Sequence, residues 1–312
     1  MTPFIRKEDA AGKLSWGAVA DALEAGHRLP KARLRDVLVE GGRTTMLNRT
    51  AWIEGLGFAV KAVTVVPENA ARGLPTVQGA VLVFGDLEGE LEAVIDGVLV
   101  TDWKTASDSV LGARLLARPD SRRLLVVGAG TVAGNLVRAY SEVFPGLEEI
   151  ALWNRTAARA QALAGELAAE GLSVTLAEDL AEAAGQADIV ACATMARSPV
   201  LQGDWIRPGT HVDLVGAYKA DMREADDALL AKARLFVDSR DTTIGHIGEL
   251  MIPLASGVIV ESDVLADLYE LAAGRAGRRD PAEITLFKNG GGAHLDLMTA
   301  KAILRAVQEA GS

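Results

Sequence analysis

Residues 124–134 read Leu124-Leu-Val-Val-Gly-Ala-Gly-Thr-Val-Ala-Gly134, and the elements predicted around them are arranged about this segment. Its first four residues form an apolar run that is typical of a parallel strand buried on both faces. Gly128, Gly130 and Ala133 follow at the G-x-G-x-x-A spacing, and a helix-compatible segment, Asn135–Phe144, comes next. Here Gly128 makes a tight turn, Gly130 lets the backbone approach a pyrophosphate, and Ala133 lets helix and strand pack closely. The stretch therefore predicts a dinucleotide site.

Other residues at the same edge of the predicted sheet are candidate cofactor contacts. Thr131 and Val132 lie at the entrance to the helix, where free N–H groups and the positive end of the helix dipole favour phosphates. Later strands end at Thr194 and at Val215–Gly216. Ligands of open parallel sheets bind beyond the carboxyl ends of the strands, so we expect these residues to contact the cofactor, with Thr194 near its nicotinamide half.

The end of the second strand indicates which dinucleotide is bound. This strand, Ile150–Trp153, is followed by Asn154, Arg155 and Thr156. An Asp or Glu at this place would hold the ribose 2′-hydroxyl of NAD, whereas a cation with neutral hydrogen-bonding neighbours suits a 2′-phosphate. The sequence thus predicts NADP(H) rather than NAD(H).

Composition excludes several classes of protein. The chain has 312 residues and a formal net charge of -10, which argues against a nucleic-acid partner. Its single cysteine, Cys192, excludes an internal disulfide framework and a multi-cysteine metal site, and its apolar surroundings predict a buried thiol. The four histidines are too scattered for a metal cluster, so no metal is expected. Without a signal peptide or a membrane span in the sequence, we expect a cytoplasmic protein.

Two kinds of pattern divide the chain. Residues 30–100 form a strand-rich meander, and from Arg122 onward strands and helices alternate as in a parallel sheet. Helices are predicted at Trp16–Ala25, Trp103–Leu116 and Ala293–Ala310, the last with a length and periodicity suited to packing on the first domain, and residues 67–74 are predicted to be a polar loop. The fold class is α/β, with a Rossmann-type doubly wound sheet and an N-terminal α+β domain.

With these motifs in order, the chain resembles the ornithine cyclodeaminase/mu-crystallin family over almost its whole length. The resemblance is carried by Gly73-Leu-Pro-Thr-Val-Gln-Gly79, Trp103-Lys-Thr-Ala106, Val127-Gly-Ala-Gly130, Trp153-Asn-Arg-Thr156, Ala187-Asp-Ile-Val190, Val215-Gly-Ala-Tyr-Lys-Ala-Asp-Met-Arg-Glu224, Ile284-Thr-Leu-Phe-Lys288 and the region of Asp296. It implies a substrate-binding and dimerisation domain, residues 1–118 with 289–312, completed by the C-terminal helix. It also implies a Rossmann domain, residues 119–288, and a homodimer formed through the first domain's sheet.

The resemblance further implies where the substrate binds. Lys61 matches the family's active-site lysine, and a lysine on an apolar strand is costly unless its head group has a partner. It would hold the substrate carboxylate, or donate to the imine nitrogen or its attached water. Arg35 matches the family's carboxylate-binding arginine, with Arg33 and Arg43 as alternatives. His294 and His246 are the remaining candidates for an acid or base.

Two departures from the family pattern bear on the reaction. Lys104 stands where the family commonly has arginine and would help to hold the substrate carboxylate, but lysine keeps only the charge and loses the bidentate fork. Thr105, at the predicted helix start, either caps the helix and touches the pyrophosphate or is an ordinary threonine of the first turn. After Gly216, where the cyclodeaminases carry an acidic base, the chain has Ala217, Tyr218 and Lys219. Both this loss and the predicted NADP(H) favour reduction over cyclodeamination.

The sequence therefore predicts NADPH-dependent reduction of a cyclic imino acid, Δ1-pyrroline-2-carboxylate or Δ1-piperideine-2-carboxylate, to proline or pipecolate. Three alternatives stay open at this point: ornithine cyclodeamination, an alanine-type amino-acid dehydrogenase, and a non-enzymatic NADP(H)-binding protein. The ring size and stereochemistry of the substrate and the identity of the proton donor also stay open.

Overall fold

The computed structural model describes residues 2–311 and every side chain among them except that of Ala70. The chain forms two compact units, Met1–Ser107 with Gly292–Ser312, and Asp108–Gly291. The boundary predicted after residue 118 falls at the end of a helix, whereas the division in the structure falls inside that helix, after Ser107. The second boundary lies after Gly291 rather than after residue 288.

The first unit contains a six-stranded sheet with the order β1-β6-β5-β4-β3-β2. Its strands are β1 (Phe4–Ile5), β2 (Arg33–Gly41), β3 (Thr44–Ile53), β4 (Gly57–Val65), β5 (Val77–Phe84) and β6 (Leu91–Asp96). Its helices are α1 (Lys7–Ala10), α2 (Trp16–His27), the first half of α3 (Gly97–Leu116) and the C-terminal helix (Ala293–Glu309). Strands β2 to β6 are antiparallel, and β1 pairs with β6 in parallel.

The two faces of this sheet have different surroundings. Ala59, Val63, Val81 and Ile95 alternate along β4, β5 and β6 and are buried on one face. The C-terminal helix contacts β2 to β5 and also α2, so the core of this unit lies between that face and the helices. Because side chains alternate across a strand, the residues between these positions lie on the other face, which is exposed or half-buried.

The second unit contains an eight-stranded parallel sheet with the order β13-β12-β14-β11-β10-β7-β8-β9. Its strands are β7 (Arg123–Val127), β8 (Glu149–Trp153), β9 (Thr175–Leu176), β10 (Ile189–Cys192), β11 (His211–Leu214), β12 (Arg234–Val237), β13 (Val264–Ala266) and β14 (Thr285–Lys288). Its helices are α4 (Thr131–Val143), α5 (Ala157–Ala169), α6 (Leu180–Gln186), α7 (Asp227–Lys232), α8 (Arg240–Thr243), α9 (Gly248–Ala255) and α10 (Leu268–Ala272).

The strand order places a topological switch between β7 and β10. From β7 the chain moves outward through β8 and β9, and it then returns to the other side of β7 to add β10 and β11. Open α/β sheets bind their ligands at such a switch, beyond the carboxyl ends of the strands. The predicted fold class is confirmed, with a Rossmann-type sheet in one unit and an α+β arrangement that includes the C-terminal helix in the other.

Three local predictions were wrong. Helix α3 begins at Gly97 rather than Trp103, because the Asp96 carboxylate accepts the N–H of Val98 (2.8 Å) and satisfies its first turn. Helix α4 begins at Thr131 rather than Asn135. The predicted polar loop contains a 3₁₀ helix, Pro67–Arg72.

Candidate active site

Two buried lysines share one carboxylate in the first unit. Lys61, on β4, donates to the hydroxyl of Thr101 (2.6 Å), and its Nζ lies 3.2 Å from Oδ1 of Asp296. The Nζ of Lys104, on α3, lies 3.1 Å from the same oxygen. Thr101 in turn donates to the carbonyl of Gly97 (2.8 Å), so the first turns of α3 position the hydroxyl that meets Lys61.

The charges of this group depend on one another. Burial lowers the pKa of Lys61 to about 8, although the Asp296 carboxylate opposes that shift. Burial alone would raise the pKa of Asp296, but the charges of Lys104 and Lys61 hold it well below its usual range. Asp296 is therefore a carboxylate at neutral pH, and two cations face one anion. This excess of positive charge suits a ligand that carries a carboxylate.

The register of the sheet brings Arg49 to this cluster and not Arg35. Arg49 lies directly opposite Lys61 in the β3–β4 ladder, so both side chains leave the sheet on the same face. Arg35 pairs with Thr50, the neighbour of Arg49, and it therefore leaves on the opposite, exposed face. The Nε of Arg49 donates to the carboxylate of Asp36 (2.9 Å). Sequence reasoning missed Arg49, because only the register reveals its relation to Lys61.

The alternative arginines are also outside the cluster. The guanidinium of Arg33 lies over the ring of Trp52, 4.9 Å from its centroid, on the same face as Arg35. Arg43 is exposed and forms an ion pair with Glu68 at 3.6 Å. Neither is brought together with Lys61 by the sheet.

The two candidate histidines have different environments. His294 is fully buried in the first unit and packs edge-on against His27, with 5.5 Å between the ring centroids. Burial holds the pKa of His294 well below its usual value, so the ring is neutral at physiological pH. His246 is exposed in a turn of the second unit. A neutral, buried ring fits packing better than proton donation.

The glycine-rich turn lies at the switch point of the second unit. Gly128 has φ +127°, and a Cβ at this position would lie 2.6 Å from the carbonyl oxygen of Ala193. The space around the Cα of Gly130 is open, since a Cβ there would meet nothing within 4 Å. Thr131 and Val132 form the first turn of α4, so their N–H groups point away from the helix towards that space. This cradle fits the pyrophosphate of a dinucleotide.

The predicted 2′-phosphate residues follow β8 at the same edge. The amide of Asn154 donates to the carbonyl of Thr156 (2.9 Å), which closes a short turn before α5. Arg155, within this turn, is exposed. No carboxylate occurs among residues 154–156, so the turn presents a cation and neutral groups at this edge of the sheet.

The ends of β10 and β11 meet on the other side of the switch. A Cβ on Gly216 would lie 1.9 Å from the carbonyl oxygen of Thr194, so only glycine permits this approach. The N–H of Val215 donates to the carbonyl of Cys192 (2.8 Å), and this cysteine is buried as predicted. The structure thus places the predicted contacts Thr194, Val215 and Gly216 at one site.

Comparison with known proteins gives the family. The sequence profile of the ornithine cyclodeaminase/mu-crystallin family matches residues 46–311. The chain belongs to this family. It is 60% identical over 307 residues to a Δ1-pyrroline-2-carboxylate reductase of Paracoccus denitrificans, and the alignment covers 97% of this chain and 96% of that protein.

Solved structures of related proteins share the fold. The Δ1-pyrroline-2-carboxylate reductase of Thermococcus litoralis, in complex with NADH and L-proline, superposes with a TM-score of 0.90 at 32% identity, covering 99% of this chain and 98% of that one. An archaeal alanine dehydrogenase dimer with bound NAD has a TM-score of 0.90 at 27% identity, covering 100% and 97% of the two chains. This member of the ornithine cyclodeaminase/mu-crystallin family is accordingly an oxidoreductase with a nicotinamide cofactor.

The structure shows the surroundings of Lys104 and Thr105, which were compared with the family pattern above. Lys104 replaces the expected arginine and keeps a cation on Asp296. Thr105 does not start α3, because the helix begins two turns earlier. Its hydroxyl donates to the carbonyl of Thr101 (2.9 Å), and the predicted capping role is wrong.

Within residues 2–311 no cluster of His, Cys, Asp or Glu has the geometry of a metal site. No helix in the same range is long and apolar enough to span a membrane.

Proposed function

We propose that this protein catalyses the NADPH-dependent reduction of a cyclic imino acid, Δ1-pyrroline-2-carboxylate or Δ1-piperideine-2-carboxylate, to proline or pipecolate. The observation that carries the proposal is the buried cluster in which Asp296 holds Lys61 and Lys104 beside Arg49. A substrate of this class has a carboxylate next to its imine carbon, and the cluster offers more cations than anions. The similarity to Δ1-pyrroline-2-carboxylate reductases supports the same substrate class.

Each residue of the cluster has a separate task in this proposal. Arg49 and Lys104 hold the substrate carboxylate, because guanidinium and ammonium groups donate charge-assisted hydrogen bonds to it. Lys61, with a pKa near 8, carries a proton at neutral pH and donates it towards the imine nitrogen. The Thr101 hydroxyl orients that lysine. The cluster raises the rate chiefly by aligning the imine and stabilising its charge.

The residues of the second unit suit the cofactor. Gly128, Gly130 and the first turn of α4 would hold the pyrophosphate, and the bound nicotinamide supplies the hydride for the imine carbon. We propose that Arg155 binds the 2′-phosphate and gives a preference for NADPH over NADH. The T. litoralis relative was solved with NADH, so both cofactors belong in every assay.

Cyclodeamination lacks a suitable base after β11. Ala217 is buried and Tyr218 is exposed, with the Nζ of Lys219 5.5 Å from the centroid of its ring. The next carboxylates are engaged elsewhere, because Asp221 is exposed and pairs with Arg197 at 3.3 Å, and Glu224 accepts hydrogen bonds from main-chain N–H groups. A base for ring closure and ammonia loss would therefore have to come from elsewhere, which favours simple reduction.

We also propose a homodimer that forms through the sheet of the first unit. The face opposite Lys61 carries exposed apolar side chains, and Val37, Val39, Met46 and Phe58 on it are 37–56% exposed. Strand β2, at the edge of this sheet, offers the main-chain groups of its outer side beside them. An exposed apolar patch of this kind indicates a protein interface. A related alanine dehydrogenase was solved as a dimer.

The test is the initial rate of NADPH and NADH oxidation with each imino acid, beside a separate assay with ornithine and NAD. We expect NADPH oxidation whose kcat/KM falls about a hundredfold in Lys61→Ala, as for loss of one partner of a buried charge pair. Arg49→Ala should raise the KM of the imino acid about tenfold or more, since charge-assisted hydrogen bonds are lost. Arg43→Ala is the control, because Arg43 is exposed in the turn between β2 and β3 and lies outside the cluster, and it should leave KM unchanged.

Other outcomes would identify the alternatives. Ammonia and proline formed from ornithine, without imine reduction, would establish a cyclodeaminase. Oxidation of alanine with no reduction of either cyclic imine would establish an amino-acid dehydrogenase. Tight NADPH binding without turnover of any imine or amino acid would establish a binding protein.

A further inference from the structure

A buried carboxylate joins the ends of two strands in the second unit. Oε1 of Glu224 accepts the N–H of Thr194 (2.6 Å) and its hydroxyl (2.8 Å). Oε2 of the same side chain accepts the N–H groups of Gly216 (2.7 Å) and Ala217 (3.2 Å). Strand β10 ends just before Thr194 and β11 just before Gly216, so the carboxylate replaces the hydrogen bonds of the sheet where the sheet stops.

Close packing at this place leaves little freedom. The Cα of Gly216 sits against the backbone of Thr194, where a Cβ would lie 1.9 Å from the carbonyl oxygen and 2.3 Å from the nitrogen. A small rotation of either strand end would therefore produce a clash or break a hydrogen bond to Glu224. This packing, the hydrogen bond from Val215 to Cys192 and the Glu224 carboxylate together fix the relative position of the two ends.

The main chain at Glu224 is itself fixed by hydrogen bonds. Its N–H donates to Oε2 of Glu249 (2.7 Å), and the N–H of Ala225 donates to Oε1 of Glu249 (3.0 Å). The carbonyl of Glu224 accepts the N–H groups of Val200 (2.7 Å) and Leu201 (2.9 Å). Glu249 is fully buried, and burial together with the charge of Glu224 raises the pKa of Glu249 to about 7. Burying two adjacent carboxyl groups costs free energy, and neither side chain is exposed to solvent.

We propose that Glu224 is a positioning residue for the nicotinamide half of the cofactor, acting through Thr194 and Gly216. In a sheet of this topology the adenosine half lies beyond β7 and β8, and the nicotinamide half lies beyond β10 and β11. Both carboxylate oxygens of Glu224 are occupied by main-chain and hydroxyl donors, so the side chain contacts the strand ends and not the cofactor. This inference rests on the proposed function, because it presupposes a nicotinamide dinucleotide.

The decisive variant is Glu224→Gln, which keeps the shape but offers only one acceptor oxygen. Its NH₂ group would face main-chain N–H donors, so the strand ends must shift. The affinity of the variant is compared for NADPH and for ADP-ribose 2′-phosphate, which lacks the nicotinamide, by isothermal titration calorimetry. We expect NADPH to bind about tenfold more weakly, the loss of a hydrogen bond to a charged group, while ADP-ribose 2′-phosphate changes less than about twofold.

Asp188→Asn is the matched control. Asp188 is a buried carboxylate of the same sheet, but it accepts the N–H groups of Arg122 (2.8 Å) and Arg123 (3.0 Å) at the opposite, amino edge. Loss of the Asp188 carboxylate should lower the thermal unfolding temperature without changing the ratio of the affinities for NADPH and ADP-ribose 2′-phosphate. If Glu224→Gln does not fold, Glu249→Gln reaches the same group through the backbone of Glu224 and must show the same selective loss.

Two results would overturn the inference. Equal weakening of both ligands, or unchanged binding of both, would show that Glu224 has only a general structural role. Failure of the proposed function has a different signature, because it concerns the wild type. A wild type that binds NADPH but reduces no imine refutes the proposed reaction and leaves the affinity ratio measurable, whereas a wild type that binds neither ligand refutes both.

Discussion

Replacing Asp296 by asparagine tests the electrostatics of the lysine cluster most directly. The substitution keeps the shape of the side chain and removes the carboxylate that contacts both Lys61 and Lys104. All three side chains are buried, with exposed fractions of 1% for Asp296, 9% for Lys61 and 8% for Lys104. Two lysines would then remain in the protein interior without their counter-ion.

The magnitude follows from these distances. At an effective dielectric constant of about 20, unit charges roughly 3.2 Å apart attract each other by about 5 kcal/mol. Breaking a buried ion pair by removing one partner costs about 3–5 kcal/mol in measured cases. Each lysine can also lose its charge by releasing a proton, which at pH 7 costs about 5 kcal/mol from an ordinary pKa of 10.5. This cost limits the penalty of burying the unpaired charge. We therefore expect a loss of about 3–5 kcal/mol in the free energy of unfolding at pH 7.

The loss should shrink at alkaline pH. The pKa of Lys61 is about 8 in the folded protein, against an ordinary value of 10.5 in the unfolded chain, so the unfolded chain binds this proton more tightly. Between these values stability rises with pH, because the folded lysine has already lost its charge. At pH 9.5 Lys61 is mostly neutral with or without Asp296. The difference between wild type and Asp296→Asn should then be smaller than at pH 7, because only the contact of Asp296 with Lys104 still contributes.

Urea unfolding followed by tryptophan fluorescence at pH 7 and pH 9.5 measures both values. Trp16 and Trp103, stacked 4.1 Å apart in the first unit, report on its unfolding. Asp221→Asn is the control, since Asp221 forms an exposed pair with Arg197 at 3.3 Å, worth under about 1 kcal/mol. Equal stability of Asp296→Asn and wild type at pH 7 would refute the reasoning. So would a deficit that grows between pH 7 and pH 9.5.

Three further predictions concern activity, cofactor choice and assembly. The kcat/KM for the imino acid should decline above about pH 8 as Lys61 loses its proton, measured from initial rates between pH 6.5 and 9.5; a level profile would contradict a role for its charge. Arg155→Ala should raise the KM for NADPH about tenfold and leave that for NADH unchanged, and equal effects on both would remove the 2′-phosphate assignment. Val39→Glu should convert a dimer into a monomer in sedimentation velocity, whereas Leu87→Glu, in an exposed turn, should not; an unchanged dimer would place the interface elsewhere.

Local sequence patterns determined most of the second unit. The apolar runs of β7 and β8, with Gly128 and Gly130 between them, specify a strand, a turn and a helix within about thirty residues, as in any βαβ unit. The residues that form the cofactor cradle are neighbours in the chain, so their spacing alone indicates their arrangement. The sequence also predicted that the head group of Lys61 has a partner, because a lone cation in an apolar strand is costly without one.

The partner of Lys61 could be identified only from the folded structure. Asp296 is 235 residues away, and no local pattern connects a carboxylate in the last helix to a lysine in the first sheet. The choice of Arg49 over Arg35 depended on strand register, since a shift of one residue moves a side chain to the other face of a sheet. Glu224 likewise gained its place from the meeting of β10 and β11. Periodicity specifies which elements form, but long-range pairing determines which charges meet, because that depends on contacts between residues far apart in the chain.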